Sequence, residues 1–420
     1  METEQKRQSA ILIGLCTGSR DVLEESTDQS MKELEALAAA AEVDTAAVVV
    51  QNRQSVEAAT YIGPGKLEEV CQLCHSLNPD FLIFDDELSG SQVRNIEQAC
   101  GVTVIDRSRL ILDIFARRAT SREGKCQVEL AQLQYLLPRL SGVGVSMSRQ
   151  GAGIGTRGPG ETRLETDRRH IRTRISKLKE ELKEIEQHRQ TTRSRRLKEG
   201  IPQVALVGYT NAGKSTLLNA LTDAGTLAKD QLFATLDPLV KRMELAEDFP
   251  IVVTDTVGFV RKLPHHLVEA FRSTLEESVY ADVVLHVVDV SNPEYPVQME
   301  VAQKLLAQLG VKDGAVITVL NQIDRAEGDL PRLPNSVCIS AKTGQGIDEL
   351  IKMLTKRLVP VRRNVTVCIP YSDGKTGAML HQKTKVKREE FTEAGQVMTI
   401  VADQEILREI AGYLIEGEQA

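Results

Sequence analysis

The chain has 420 residues, of which 41 % are hydrophobic and 26 % are charged, and its net charge is −7. This length allows about two to four domains with ordinary hydrophobic cores. No stretch approaches the roughly 20 apolar residues that a membrane-spanning helix needs, and the first eight residues are too polar for a signal peptide. We therefore expect a cytoplasmic protein, with peripheral association with a membrane left open.

The seven cysteines are scattered without the spacing of a disulfide framework, as expected in a reducing compartment. Cys71 and Cys74 form a C-x-x-C, but they lie inside a helical pattern, and no second pair nearby completes four zinc ligands. The sequence favours small core residues here over a metal or redox site.

Strand and helix patterns alternate along the first hundred or so residues. Apolar runs predict strands at 11–15, 46–50, 81–84 and 102–105, and helical patterns lie between them at 31–41, 66–77 and 91–100. Such alternation is typical of βαβ units with a parallel sheet. We predict an N-terminal α/β domain over residues 1–118.

The segment 119–200 has a different character. It contains a helical pattern at 128–137, then seven glycines and no acidic residue between Gly142 and Gly160. From Glu161 a long charged helix carries apolar residues at heptad spacing. The sequence predicts a glycine-rich loop and an antiparallel helical hairpin, and a dimeric coiled coil is the less favoured alternative because the apolar seam is short.

Charge is distributed unevenly along the chain. Residues 139–200 carry 16 Lys plus Arg against 8 Asp plus Glu, a local charge of +8, whereas the remainder has 36 against 51, or −15. One basic arm on an acidic protein indicates a polyanionic partner for that arm.

A complete G-x-x-x-x-G-K-S loop follows the apolar strand pattern 204–207. The glycines allow main-chain N–H groups to surround phosphates at a helix start, Lys214 reaches the outer phosphates, and Ser215 holds Mg²⁺. The predicted phosphate-binding residues are Gly208, Tyr209, Thr210, Asn211, Ala212, Gly213, Lys214, Ser215 and Thr216.

Three later segments complete a nucleotide site, and each follows a predicted strand. Asp255 can hold magnesium through water, and the N–H of Gly258 can contact the terminal phosphate. Asp324 can accept the two N–H donors on one edge of guanine, which indicates GTP rather than ATP. The predicted residues are Asp255, Thr256, Val257 and Gly258; Asn321, Gln322, Ile323 and Asp324; and Ser340, Ala341 and Lys342, which would cover the base oxygen.

Thr235 lies 20 residues after Ser215 in a segment without periodicity. We predict that it reaches Mg²⁺ only when the γ-phosphate is present, and a helix-capping threonine is the alternative. The predicted nucleotide-binding residues of this segment are Phe233, Ala234, Thr235, Leu236 and Asp237. Lys214, Thr235 and Gly258 are the predicted catalytic residues, and Ser215, Thr235 and Asp255 the predicted metal ligands.

The whole chain resembles HflX-type GTPases of the Obg-HflX group. The likeness extends beyond the GTPase motifs to 61–66, 106–116, 128–133 and 148–162. The residue patterns themselves predict a second α/β domain with a mostly parallel sheet at 201–360 and, from the apolar runs 365–369 and 397–401 with a helical pattern at 404–414, a small α+β domain at 361–420. The resemblance implies that the former is a P-loop GTPase domain. It further implies Mg²⁺ as cofactor and binding of the large ribosomal subunit, where the arm 139–200 contacts ribosomal RNA, in ribosome splitting, rescue or translation control under stress.

Phe259 and Gln322 depart from common GTPase patterns, whereas Asn211 matches the pattern of one group. Phe259 occupies the place of a glutamine that orients the attacking water, so we expect slow hydrolysis without the ribosome. Asn211 matches a position that ligates K⁺ in related GTPases, or it only hydrogen-bonds within the loop. Gln322 replaces the usual lysine, which lowers the expected guanine affinity. Gly63 to Lys66 is interpreted as a tight turn rather than a second nucleotide site.

Two functions are consistent with these patterns. The first is a monomeric GTP hydrolase whose turnover depends on the large ribosomal subunit. The second is a non-enzymatic RNA-binding module in which GTP only stabilises a docking conformation, an option that Phe259 keeps open.

Overall fold

The structure, a computed structural model, describes residues 7–17, 27–140, 159–198, 200–222, 239–246, 249–262, 278–326, 328–359, 363–402 and 404–415. Contacts divide the chain into two compact units, the first formed by 1–244 with 250–348 and the second by 245–249 with 349–420. The predicted α/β class with a mostly parallel sheet is confirmed. Within the described residues, no helix combines the length and apolar character required to cross a membrane.

The N-terminal part of the first unit contains a four-stranded parallel sheet in the order β2-β1-β3-β4. Its strands are β1 (Gln8–Thr17), β2 (Val43–Arg53), β3 (Phe81–Phe84) and β4 (Thr103–Asp106). The connecting helices are α1 (Thr27–Ala40), α2 (Pro64–Leu77) and α3 (Gly90–Cys100). Alternate residues of β1 enter two separate hydrophobic clusters, with Leu12 in one and Ile11 in the other. The predicted βαβ arrangement is therefore present.

Asp106 joins the N-terminal sheet to the following helices. It caps α4 (Arg107–Arg118) by accepting the N–H of Arg109 at 2.9 Å, and it accepts the hydroxyl of Tyr135 at 2.9 Å and Nη2 of Arg139 at 3.1 Å. Tyr135 and Arg139 belong to α5 (Arg122–Arg139). Burial raises the pKa of Asp106, although these donors oppose the rise.

Most of the basic arm is the 40-residue α6 (Pro159–Lys198). This helix forms an antiparallel hairpin with α5. Leu178 is fully buried beside Cys126 and Leu130, as the apolar seam predicts. Across the pair, Glu129 contacts Arg174 at 2.6 Å and Glu123 contacts Arg189 at 2.8 Å, so the two helices run in opposite directions. The glycine-rich segment 141–158 lies outside the described residues.

The nucleotide-binding part of the first unit contains a six-stranded sheet in the order β10-β9-β8-β5-β7-β6. Its strands are β5 (Gln203–Gly208), β6 (Leu239–Ala246), β7 (Phe249–Asp255), β8 (Val283–Asp289), β9 (Val316–Asn321) and β10 (Ser336–Cys338). Two helices of this region are α7 (Lys214–Thr222) and α8 (Tyr295–Leu309). Because β5, β7, β8, β9 and β10 are parallel, the segments after them emerge at one edge of the sheet.

The second unit contains a three-stranded antiparallel sheet in the order β11-β13-β12. Its strands are β11 (Arg363–Ile369), β12 (Lys385–Thr392) and β13 (Gly395–Ala402), and its helices are most of α9 (Ile347–Leu358), α10 (Gly374–Lys383) and α11 (Gln404–Glu409). Val367, Leu380 and Ile400 form its core. This is the small α+β domain expected at the end of the chain.

Candidate nucleotide-binding site

The G-x-x-x-x-G-K-S loop connects β5 to α7. Gly208 has φ +151°, and a Cβ there would lie 2.2 Å from the carbonyl oxygen of Val287, so only glycine fits. Lys214 is buried, and its Nζ donates to the carbonyls of Gly208 at 3.1 Å and Tyr209 at 2.8 Å. Burial lowers the pKa of Lys214 to about 8, partly opposed by Asp255. The lysine cation is thus held within the loop.

The two predicted metal ligands that the structure describes lie together. Asp255, the last residue of β7, pairs with Leu206 of the adjacent β5, and the hydroxyl of Ser215 donates to Oδ2 of Asp255 at 2.7 Å. Thr256 donates to the carbonyl of Leu206 at 2.7 Å, which fixes the chain direction after β7. The predicted segment from Phe233 to Asp237, with Thr235, lies outside the described residues.

The D-x-x-G segment lies directly against the phosphate loop. Phe259 N–H donates to the carbonyl of Gly208 at 3.0 Å, and its carbonyl accepts the N–H of Thr210 at 2.8 Å. A Cβ on Gly258 would lie 2.9 Å from Nζ of Lys214 and 2.8 Å from Cα of Thr210. Gly258 is therefore packed against the lysine that is predicted to hold the outer phosphates.

Asn321 connects the phosphate loop to the segments predicted to bind the base. Its Nδ2 donates to the carbonyl of Ala212 at 2.8 Å, and its Oδ1 accepts the N–H of Ala341 at 2.9 Å. Gln322 has φ +64° and donates from Nε2 to the carbonyl of Asn211 at 3.1 Å. Both segments therefore lie beside the loop.

The remaining predicted site residues occupy the same region. The N–H of Ile323 contacts the carbonyl of Ile339 at 3.3 Å, and Ser340 is buried. Asp324 and Lys342 are exposed, as expected for side chains that contact a ligand entering from solvent. Thr216 is half-buried in the first turn of α7, and Val257 is buried.

Sequence reasoning missed His286, which lies in β8 directly beside Val207. Its side chain is buried, and Nδ1 has no hydrogen-bond partner among the described residues. Burial, together with the charge of Lys214, lowers the pKa of His286 to about 4. A histidine within an apolar strand pattern signals burial, but only the sheet order shows that it lies close to Lys214.

The C-x-x-C and the turn from Gly63 to Lys66 make contacts that belong to the N-terminal core and to the start of a helix. Cys74 is buried in the N-terminal core, and neither Cys71 nor Cys74 forms a disulfide. Gly63 precedes α2 and donates its N–H to Oε1 of Gln51 at 2.9 Å. Lys66 pairs with Glu69 at 2.7 Å. These contacts are those of a helix start.

A phosphate loop between a parallel strand and a helix, a D-x-x-G segment after the neighbouring strand, and an Asn-x-x-Asp segment beside them define a P-loop GTPase. Three family models match the chain: "GTP-binding GTPase N-terminal" at residues 28–116, "GTP-binding GTPase Middle Region" at 118–196, and "50S ribosome-binding GTPase" at 203–322.

The chain belongs to the HflX family of GTPases. It is 45 % identical over 414 residues to GTPase HflX of Caldanaerobacter subterraneus subsp. tengcongensis, covering 99 % of this chain and 95 % of that protein. It is 41 % identical over 376 residues to GTPase HflX of Escherichia coli K12, covering 88 % of each chain. A solved GTP-binding protein of Sulfolobus solfataricus in complex with GDP is similar at 24 % identity and TM-score 0.45, over 84 % of this chain and 98 % of that one.

The HflX relatives favour an enzyme over a non-enzymatic RNA-binding module. The protein is an enzyme that hydrolyses GTP, and the prediction of a GTPase is confirmed.

Replacing Gly213 by Ala tests the geometry of the loop. Gly213 has φ +90°, and a Cβ there would lie 2.3 Å from Nδ2 of Asn321, so the loop must shift and displace its inward N–H groups. We expect Gly213→Ala to weaken binding of both GDP and GTP by about tenfold or more, since about 1.4 kcal/mol corresponds to tenfold. Gly314→Ala, where no atom lies within 4 Å of the new Cβ, is the control in a fluorescence titration. Wild-type affinity of the Gly213 variant would contradict this geometry.

The buried His286 predicts a pH-dependent stability. Its pKa is about 4 in the fold against 6.5 ordinarily, so the unfolded chain binds the proton first as the pH falls. The contribution of the neutral His286 to the free energy of unfolding is fully present above pH 6.5 and is lost as the pH falls towards 4. Between pH 7 and 4.5 we expect the wild type to lose about 2–3 kcal/mol more than His286→Gln in urea unfolding. The exposed His75→Gln is the control, and equal pH slopes for all three proteins would refute the assignment.

Proposed function

We propose that this GTPase binds the large ribosomal subunit through its basic helical arm and splits or rescues ribosomes under stress. The observation that carries the proposal is the segregation of charge, +8 within residues 139–200 against −15 elsewhere. The family model named "50S ribosome-binding GTPase" supports the same partner. The protein would act as a monomer in the cytoplasm. We propose four domains, at residues 1–118, 119–200, 201–360 and 361–420.

The arm presents its cations to solvent. Several basic residues of α6 are exposed and lie on the helix away from Leu178: Arg169, Lys177, Lys179 and Lys183. Such cations are suited to contacts with RNA phosphates, because each contact releases counterions. Tyr135, the aromatic residue of the hairpin, is buried and donates its hydroxyl to Asp106. It is therefore committed to the fold, and recognition would rest on shape and backbone rather than base stacking.

For hydrolysis, we assign Lys214 and Gly258 to the outer phosphates and Asp324 to the guanine. Ser215 and Asp255 offer two adjacent oxygen donors, which fit Mg²⁺ because this ion binds through few protein oxygens and the phosphates of its substrate. Bound Mg²⁺ would neutralise charge on the phosphates. Thr235 completes the proposed set. The phenyl ring of Phe259 cannot orient the attacking water, so hydrolysis by the protein alone would be slow. We propose that the ribosome accelerates it.

We also propose a potassium ion beside the phosphates, ligated by Asn211. Asn211 is exposed and has φ +65°, so its side-chain oxygen is accessible from solvent. A cation there would balance the charge that grows between the β- and γ-phosphates during hydrolysis.

Sedimentation of the purified protein with large ribosomal subunits tests the partner. We expect co-sedimentation with a non-hydrolysable GTP analogue and weaker association with GDP, and we expect subunits to raise the GTPase rate. The triple variant Lys177→Gln, Lys179→Gln, Lys183→Gln should lower the magnitude of the slope of log affinity against log salt by about 2–3.

The matched control neutralises three exposed cations of the nucleotide-binding part, Lys304, Lys312 and Arg332, and should leave that slope close to the wild type. Equal slopes for the two triple variants would contradict an RNA-binding arm. Failure of the wild-type protein to sediment with the subunits in the presence of the non-hydrolysable analogue would contradict the partner itself.

Comparison of GTPase rates in KCl and in NaCl tests the potassium site. We expect faster hydrolysis in KCl, and we expect Asn211→Ala to remove the difference, because K⁺ fits a wider oxygen cage than Na⁺. Coincident rates of the wild type in both salts would rule the site out.

A further inference from the structure

A cluster of buried and partly buried charges joins the chain just after the D-x-x-G segment to the N-terminal sheet. Lys262 contacts Asp85 at 2.6 Å and Asp86 at 2.8 Å, which follow β3. Arg261 donates its main-chain N–H to Oε1 of Glu33 in α1 at 3.2 Å, and its Nε lies 3.7 Å from Oε2 of Glu33. The Arg261 guanidinium also pairs with Glu294 of the nucleotide-binding part. Lys262 and Asp85 are 177 positions apart in the sequence, yet they are in direct contact.

Further groups hold these carboxylates in place. Arg107, at the start of α4, contacts Asp85 at 2.7 Å and Glu33 at 2.9 Å, and Ser30 donates to Asp85 at 2.6 Å. Burial alone would raise the pKa of Asp85, but Arg107 and Lys262 together hold it below its usual value. Asp86 accepts the hydroxyl of Tyr61, so both carboxylates that contact Lys262 also have other donors.

Apolar contacts reinforce the ionic ones. Val257 and Val260 are buried in the same hydrophobic cluster as Leu34 of α1 and Ile111 and Phe115 of α4. The D-x-x-G segment is thus attached to the N-terminal domain by apolar residues on one side and by two cations at its end. We call Val257, Val260, Arg261 and Lys262, with Glu33, Asp85 and Asp86, the switch anchor.

The switch anchor determines where Gly258 lies. The anchored chain pairs Phe259 with the phosphate loop and places Gly258 against Nζ of Lys214. A γ-phosphate between Lys214 and the N–H of Gly258 needs charge-assisted hydrogen bonds of about 2.7–2.9 Å on each side. In the packed arrangement, Nζ of Lys214 and Cα of Thr210 fill the space beside Gly258. Because the next residue, Phe259, is hydrogen-bonded to the phosphate loop, we infer that Gly258 moves away from the loop when a γ-phosphate enters.

We propose that Arg261 and Lys262 are positioning residues of the nucleotide site. Their ion pairs with Glu33, Asp85 and Asp86 hold the D-x-x-G segment on the phosphate loop and so favour GDP over GTP. The N-terminal domain thereby sets the nucleotide preference of the protein. This mechanism requires guanine nucleotide binding and is independent of the ribosomal partner.

Lys262 and Asp86 are the most suitable positions for substitution, because their side chains are 27 % and 33 % exposed whereas that of Asp85 is 2 % exposed. The full-length protein is titrated with GDP and with a non-hydrolysable GTP analogue in the presence of Mg²⁺. For Lys262→Gln we expect the ratio of the two affinities to shift towards the triphosphate by about fivefold or more, the lower end of typical coupling between sites.

Asp86→Asn should shift the ratio in the same direction. The affinity ratio of the double variant should differ from that of Lys262→Gln by less than about twofold, because each single change already removes the ion pair between Lys262 and Asp86. The control is Lys304→Gln, which breaks the exposed pair with Glu300 at 3.0 Å within α8 and should leave the ratio unchanged. A purely structural role would alter both affinities equally or neither.

The proposal is overturned if folded Lys262→Gln changes the two affinities by the same factor or leaves both unchanged. If that variant does not fold, the near-isosteric Asp86→Asn decides by the same criterion. A shift of the ratio towards GDP would also contradict the proposal, since it would show that the anchored state favours the triphosphate.

Discussion

The buried ammonium of Lys214 is the constraint on which the nucleotide site depends. The loop holds it with the carbonyls of Gly208 and Tyr209, and Asp255 is the carboxylate that raises its lowered pKa. A buried cation that has only one carboxylate to offset its desolvation is stabilised by a further anion nearby. A phosphate bound at the start of α7 would be that anion. The glycines at 208 and 213 are required because the main chain must pass so close to Val287 and Asn321.

The same loop organises the rest of the site through main-chain groups. Asn321 joins Ala212 to Ala341, so the phosphate-binding and base-binding segments form one hydrogen-bonded assembly. Phe259 joins Gly208 and Thr210 to the D-x-x-G segment. Because Val257, Val260 and Lys262 are held by the N-terminal domain, movement of Gly258 away from Lys214 must disturb contacts in that domain. Among the described residues, this segment therefore links the nucleotide site to the N-terminal part of the first unit.

Local patterns were sufficient to predict much of the fold. The strand, glycine turn and helix around Lys214 are close in sequence, and the βαβ alternation and the heptad spacing of α6 predict their own partners. The position of Leu178 against α5 followed from that spacing. These features depend on periodicity and on turn chemistry over a few residues, which a single sequence contains.

Long-range contacts could not be predicted in this way. The sequence showed that Phe259 lacks a polar side chain, but it could not show that its main chain pairs with the phosphate loop. Arg261 and Lys262 did not stand out in the sequence, because their partners Glu33 and Asp85 are brought to them by the packing of α1 and β3. His286 likewise acquires its neighbour Lys214 only through the sheet order β8-β5.

The most direct measurement is a calorimetric titration of the full-length protein with GTP and with ATP in Mg²⁺, repeated for the double variant Lys214→Ala, Asp324→Ala. Two charge-assisted hydrogen bonds from guanine to Asp324 would contribute about 1.5–3 kcal/mol each, so we predict at least about hundredfold tighter binding of GTP than of ATP and loss of GTP binding in the variant. Equal affinities for GTP and ATP, or full GTP binding by the double variant, would contradict the account.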